Sequence, residues 1–432
     1  MIPNGALNLR ILKGSQPSRL SALLRNSAPR LSHSVSVHTC CTSPTATRHQ
    51  DSRVQIQKHF ARPFAPKSTG TGYSQISGTV SSATTRSLTT TTMSARPAVL
   101  LIGVLTHSND AWAALSSKYT LLELRKGTRE EFLENCRSGA YDAVRGCYRS
   151  NNSTSVTGPF DRELVAALPE SWKFIAHNGA GYDNIDVDAC TARHIAVSST
   201  PVAVDDATAD TGIFLMLGAL RQVHEPLTAL REGRWKGKSR LGHDPRGKVL
   251  GILGMGGIGR AMAHRARSFG MEIIYHNRRR LDPSLEKDAK YVSFDELLAQ
   301  SDVLSLNLAL NAQTRHIIGA PELAKTKKGV VVVNTARGAL IDEAALVQAL
   351  ESGQVEAVGL DVYEAEPEIH PGLVKSDRAF LLPHLGTSTY ETQRDMELLV
   401  LNNLQAAVDE GKMLTLVNEQ KGLEWAPKEA SS

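Results

Sequence analysis

The run Lys248 to Gly259, K-V-L-G-I-L-G-M-G-G-I-G, constrains the fold of this chain more than any other stretch. It sets Gly254, Gly256 and Gly259 in a GxGxxG pattern directly after an aliphatic strand and at the opening of a helix. Each glycine answers a separate need: a tight turn, close backbone approach to a pyrophosphate, and packing of helix on strand. The helix start adds oriented amides and a dipole that favours phosphate. Gly254, Met255, Gly256, Gly257, Ile258 and Gly259 are therefore the expected dinucleotide cradle.

The rest of the chain keeps the rhythm that such a turn requires. From Ala98 onward, short β-branched or aliphatic runs alternate with helical patterns, as in parallel sheets covered by helices. The clearest strands are Val249 to Leu253, Glu272 to His276, Val303 to Asn307, Val330 to Asn334, Ala357 to Leu360 and Phe380 to Leu382, enough for one doubly wound unit. An earlier βα region has strands near Ala98 to Ile102, Lys173 to His177 and Ile195 to Ser198. Apolar helices at Ala207 to Leu220 and Tyr390 to Ala407 are placed to carry the chain between the two. The expected fold class is α/β, with two doubly wound, Rossmann-like domains. A dinucleotide-binding domain over 199–383 is inserted into a substrate domain over 97–198 and 384–420.

Composition separates a leader from this body. Residues 1–92 hold eleven Lys and Arg, a single acidic residue (Asp51) and no Glu. Such a stretch buries too little apolar surface to offset its ordering entropy and is expected to be disordered. Basic, Ser-rich and acid-poor, it reads as a mitochondrial transit peptide, and a start at Met93 would give a cytosolic protein instead. The whole chain has 49 basic and 44 acidic residues, so without the leader 38 and 43 remain, a net of about −5 that does not indicate a nucleic-acid surface. No apolar run approaches the ~18 residues of a membrane span. The five cysteines, Cys40, Cys41, Cys136, Cys147 and Cys190, show no metal-ligand spacing, and no metal is expected.

Cofactor choice is read at the end of the second strand of the glycine-loop unit, where NAD-specific chains carry an Asp or Glu for the ribose hydroxyls. Here Asn277 stands there, followed by Arg278, Arg279 and Arg280. Loss of the carboxylate removes repulsion toward a 2′-phosphate, and planar guanidinium groups bind phosphate well. NADP is the expected cofactor, with NAD possible.

Three further runs, V-V-N-T-A-R-G-A-L-I-D (Val332 to Asp342), G-L-D-V-Y-E-A-E-P (Gly359 to Pro367) and L-P-H-L-G-T-S-T (Leu382 to Thr389), resemble the signatures of the D-isomer-specific 2-hydroxyacid dehydrogenases. Within that family the chain is most similar to the glyoxylate and hydroxypyruvate reductases. The resemblance covers Ala98 to roughly Val417. It implies reduction of a small 2-keto acid by hydride transfer, with catalytic Arg337, Glu366 and His384; Glu364 competes for the glutamate, but the family's residue directly precedes the proline. The chemistry suits these types. An Arg fork can hold a carboxylate and polarise the adjacent carbonyl, a His can deliver a proton near neutrality, and a carboxylate can fix that imidazole.

The resemblance also implies that H-N-G-A-G-Y-D-N-I-D (His177 to Asp186) binds the substrate carboxylate through the amides of Ala180 and Gly181. Thr335, Ala336 and Asp361 would lie near the nicotinamide, and Arg149 to Ser153 reads as a loop bordering the pocket. A homodimer is implied. Phosphoglycerate dehydrogenase is less expected, because 48 residues follow His384. The rival of another class is a dehydrogenase-like, NAD(H)-sensing corepressor.

Overall fold

A computed structural model describes residues 96–429; the leader, with its expected targeting role, lies outside the described residues. The first sheet is built from β1 (Ala98–Ile102), β2 (Thr120–Leu124), β3 (Val144–Ser150), β4 (Phe174–Asn178) and β5 (Ala196–Ser198), in the order β2-β1-β3-β4-β5. Every pairing is parallel. All five residues of β1 are buried, as a strand covered on both faces requires.

The second sheet comprises β6 (Val249–Leu253), β7 (Glu272–His276), β8 (Lys290–Tyr291), β9 (Val303–Leu306), β10 (Val330–Asn334), β11 (Val355–Leu360) and β12 (Ala379–Leu381). Its order is β12-β11-β10-β9-β6-β7-β8. Counted from β6, this is the 3-2-1-4-5-6 arrangement extended by one strand, so the winding reverses between β6 and β9. A crevice at that switch point is where open α/β sheets bind ligands.

Within these two sheets, three strands add to the nine read from sequence: β2, β3 and the two-residue β8. Arg149 and Ser150, expected in a loop, belong to β3, and only from Asn151 does the chain leave the sheet.

The Asp205–Leu220 helix packs against β10, β11, β12 and the Gly257–Arg267 helix. Sheet and helix bury most of its circumference, so its apolar residues have no single face, and the exposed strip is Asp206, Asp210 and Phe214. The Tyr390–Glu410 helix returns to the first sheet and packs on β3 and β4. Beyond it, Val417 N–H donates to the Val197 carbonyl (3.0 Å), and Gln420 Oε1 accepts from Val197 N–H (2.8 Å). The first sheet is thus completed by chain that follows the second. Among the described residues, no helix is long and apolar enough to cross a membrane.

Candidate active site

At the switch point, the turn after β6 is held from both sides. Gly254 has φ +98°, and a Cβ there would lie 2.7 Å from the Asn307 carbonyl beyond β9, so only glycine fits. Met255 is buried, and its N–H donates to Asn277 Oδ1 (2.7 Å), which fastens the turn to the end of β7. Gly256 caps the Gly257–Arg267 helix without a side chain, and a Cβ there would meet open space. The first amides of an α-helix have no internal acceptor, so those that follow Gly256 are donors for a pyrophosphate. These residues fit a dinucleotide. When bound, it supplies the hydride.

Across the cleft, His384 sits in a turn after β12 with φ +55°, a conformation that non-glycine residues adopt rarely. Asp361 enforces it. Its carbonyl accepts from His384 N–H (2.8 Å), and its fully buried carboxylate accepts from Leu385 N–H (2.6 Å) and Gly386 N–H (2.7 Å). Burial raises the Asp361 pKa, while those amides pull it down. Asp361 was expected beside the nicotinamide; it lines the cleft, but its carboxylate is engaged in shaping the His384 turn.

His384 Nδ1 donates to Glu366 Oε2 (2.8 Å), and Glu366 Oε1 accepts from Tyr363 N–H (2.9 Å). The Glu366 hydrogen bond raises the imidazole above its ordinary pKa, against the opposing pull of burial. Burial pushes Glu366 up, but its bonds from His384 and Tyr363 hold it below the ordinary carboxylate value. The pair therefore favours a protonated ring beside an ionised carboxylate, and Nε2 is left for the cleft. Glu364 instead pairs with Arg315 (2.9 Å) and His316 (2.6 Å), away from His384.

Arg337 follows β10 in a turn closed by Asn334, whose Oδ1 accepts from Ala336 N–H (3.0 Å) and whose Nδ2 donates to the Arg337 carbonyl (2.8 Å). Its Nε donates to Asp183 (2.7 Å) and its Nη1 to the Ala336 carbonyl (2.8 Å). Nη2 lies against Gly181, where a Cβ would come within 1.9 Å of it. The guanidinium is thereby aimed and keeps donors for a ligand.

One cleft of about 1170 Å³ is lined by Ala180, Gly181, Ile258, Thr335, Ala336, Arg337, Asp361, Glu366 and His384 from both sheets, together with Ser150, Asn151 and Asn152. The other glycine-turn residues and Asn277, Arg278 and Arg279 do not line it; they stand at the ends of β6 and β7. Arg278 and Arg279 are exposed and make no ion pair among the described residues. Arg280 differs: its Nε and Nη2 grip Glu286 (2.7 and 2.9 Å), which also accepts from Tyr275 Oη, so this arginine braces the loop. Asp183 and Asn334 were not singled out from sequence. The signal for both was their place inside quoted motifs, Y-D-N and V-N-T. Among the described residues, no cluster of three or more His, Cys, Asp or Glu could hold a metal.

A dinucleotide turn facing a His–carboxylate pair and an oriented arginine defines a nicotinamide-dependent dehydrogenase. The family model for the NAD-binding domain of D-isomer-specific 2-hydroxyacid dehydrogenases matches residues 213–386. A 4-methyl-2-oxopentanoate reductase from Aspergillus oryzae is 67% identical over 76% of this chain and 99% of its own length. The crystal structure of a glyoxylate reductase from Paecilomyes thermophila superposes with TM-score 0.75 at 68% identity, covering 76% of this chain and all of that one (100%). An NADPH-dependent glyoxylate/hydroxypyruvate reductase from Sinorhizobium meliloti, in complex with NADP and malonate, superposes with TM-score 0.67 at 29% identity, covering 78% and 100%. The chain belongs to the D-isomer-specific 2-hydroxyacid dehydrogenase family. It is an oxidoreductase of 2-keto acids and 2-hydroxy acids that uses a nicotinamide dinucleotide.

Proposed function

We propose that the protein reduces glyoxylate and hydroxypyruvate with NADPH, giving the D-isomer where the product is chiral. The observation that carries this reading is the convergence of Arg337, the Glu366–His384 pair and the Ala180–Gly181 backbone on one cleft that also reaches the dinucleotide turn. Arg337 and the amides of Ala180 and Gly181 hold the substrate carboxylate. The free edge of the guanidinium polarises the keto oxygen, drawing electron density from the carbon that receives hydride. His384 Nε2 then gives its proton to that oxygen, and Glu366 stabilises the imidazolium beforehand and fixes its orientation.

NADPH is favoured by the lack of a carboxylate at Asn277 and by two exposed arginines, Arg278 and Arg279, that have no partner of their own among the described residues. Thr335, Ala336 and Asp361 flank the nicotinamide. The deciding experiment is steady-state kinetics with glyoxylate, hydroxypyruvate and 4-methyl-2-oxopentanoate, each with NADPH and NADH. Higher kcat/KM for the two small acids with NADPH supports the proposal.

A second reading, preference for the branched acid, is favoured by the name of the Aspergillus oryzae relative and by an apolar wall of Val104 and Met396 on the cleft. It wins if 4-methyl-2-oxopentanoate has the highest kcat/KM.

Two expectations are carried forward as proposals. Phe214, Leu227, Leu230, Trp235 and Leu241 are apolar and exposed, which suits a homodimer; light scattering reads its mass. Mitochondrial targeting by residues 1–92 is tested with fluorescent fusions of the full chain and of a chain starting at Met93. Identical distributions would exclude it.

A further inference from the structure

Behind the loop assigned to the substrate carboxylate lies a cation without a counter-ion. Arg149 is fully buried, and among the described residues no carboxylate pairs with it; Asp183 is engaged by Arg337. Its Nη1 donates to His177 Nδ1 (3.0 Å) and Asn184 Oδ1 (3.1 Å), its Nη2 to Thr154 Oγ1 (3.3 Å), and its plane lies 4.9 Å over Phe160. Its Nε is buried without a partner. A buried charge is tolerated only where something holds it, and here that frame includes the cleft-bordering turn after β3 and the 179–184 loop.

The imidazole is the link. Arg149 and His177 are register partners on β3 and β4. A guanidinium has only donors, so His177 Nδ1 must accept, and Nε2–H is left to donate to the Gly181 carbonyl (3.1 Å). Burial, and after it the charge of Arg149, push the His177 pKa down to about 3, so the ring stays neutral and in that tautomer. Gly179 leaves it room: a Cβ there would lie 2.6 Å from Nε2. On the other flank, Thr200 N–H donates to the Gly179 carbonyl (3.0 Å). In a trans peptide the N–H opposes the C=O, so Ala180 N–H faces away from Thr200. The Gly181 amide is held between two pinned planes. Neither amide has an acceptor among the described residues.

We infer that Arg149 and His177 are positioning residues for substrate: through His177, the buried guanidinium pins the Gly181 carbonyl and so aims the Gly181 amide, beside the Ala180 amide set by the Thr200 bond, at the carboxylate, while adding positive potential behind both. The inference rests on the proposal that these amides receive the carboxylate.

The test compares glyoxylate with its neutral methyl ester in the NADPH-loaded wild type and in Arg149→Met, His177→Leu and His177→Gln. Glutamine can accept from Arg149 with its oxygen and donate to Gly181 with its nitrogen; leucine can do neither. Arg149→Met and His177→Leu should lower kcat/KM for glyoxylate by about ten- to a hundredfold, the range of a charged hydrogen bond. The ester rate and NADPH affinity should not change, and His177→Gln should recover most of the loss. If Arg149→Met fails to fold, the His177 pair decides. Equal losses on acid and ester, or glutamine no better than leucine, overturn the inference. A wild type that handles acid and ester alike contradicts instead the carboxylate-binding role of the loop.

Discussion

His384 is in a strained backbone conformation, and three bonds to Asp361 keep it there. Its pKa is raised above the ordinary histidine value chiefly by Glu366, and the proposed mechanism consumes the protonated form. The rate of reduction should therefore be level below the histidine's own pKa and fall above it by about tenfold per pH unit. Glu366→Gln removes the main cause of the raised value, so the break should move to lower pH; a pH profile of kcat/KM for both enzymes shows it. An unmoved break would separate Glu366 from the titration. Arg337→Ala should lower kcat/KM for the keto acid without weakening NADPH binding, and Asp183→Asn should do the same more mildly, because it only loosens the aim of the guanidinium. Steady-state kinetics together with a cofactor titration separate these outcomes. The positions of Arg337, Glu366 and His384 were legible because each lies in a contiguous run with a recognisable neighbour. Asp183 and Arg149 act on partners far away in the chain, and nothing in their own spacing advertises that; His177 acts on nearby Gly181, but its link to Arg149 forms only across the sheet.

At the level of elements, the strands legible in sequence are those with uninterrupted aliphatic runs, such as V-V-V-V-N of β10. The strand β3 reads V-R-G-C-Y-R-S, in which two arginines and a glycine break any β pattern. The structure explains the glycine and the second arginine. Gly146 is needed because a Cβ would lie 2.9 Å from the neighbouring Phe174, and Arg149 serves the buried network rather than solvent. The two-residue β8 is an edge too short to show a period. The end of β7 carries the element-scale prediction. Asn277 Oδ1 already secures Met255 N–H, a bond that an Asp can also accept, so Asn277→Asp should preserve the turn while repelling a 2′-phosphate. Asn277→Asp and Arg278→Ala should each shift the NADPH to NADH ratio of kcat/KM roughly ten- to a hundredfold toward NADH. Because both act on one phosphate, the double variant should fall short of the summed effect. The ratio is measured at a single ionic strength, since exposed phosphate contacts weaken with salt. A ratio unmoved in the double variant would make Arg278 a solvated side chain only.

The whole molecule divides the labour between its two sheets. The second brings the dinucleotide turn, Arg337 and His384; the first brings the Ala180–Gly181 loop, and the chain returns to it through the Tyr390–Glu410 helix. The order of elements made the two sheets readable from sequence, because the glycine-turn motif and the His177 to Asp186 motif fall in separate βα regions. The identity of the preferred acid was not readable. The cleft wall that would set it, including Val104 and Met396, gathers from loops and helix turns with no motif in common. Val104→Ala should therefore alter the ratio of kcat/KM between glyoxylate and 4-methyl-2-oxopentanoate, leaving NADPH affinity as it is; an unchanged ratio would remove Val104 from the specificity wall. The most direct test of the reductase assignment and of its proton donor is NADPH oxidation with glyoxylate by wild type and His384→Gln, with NADPH affinity measured on the same preparations. Brisk turnover by the wild type, a loss of about 10² to 10⁴-fold in the variant and equal cofactor affinity are expected. Near-normal turnover by His384→Gln, or a wild type that binds NADPH but does not oxidise it with any 2-keto acid, would contradict the assignment.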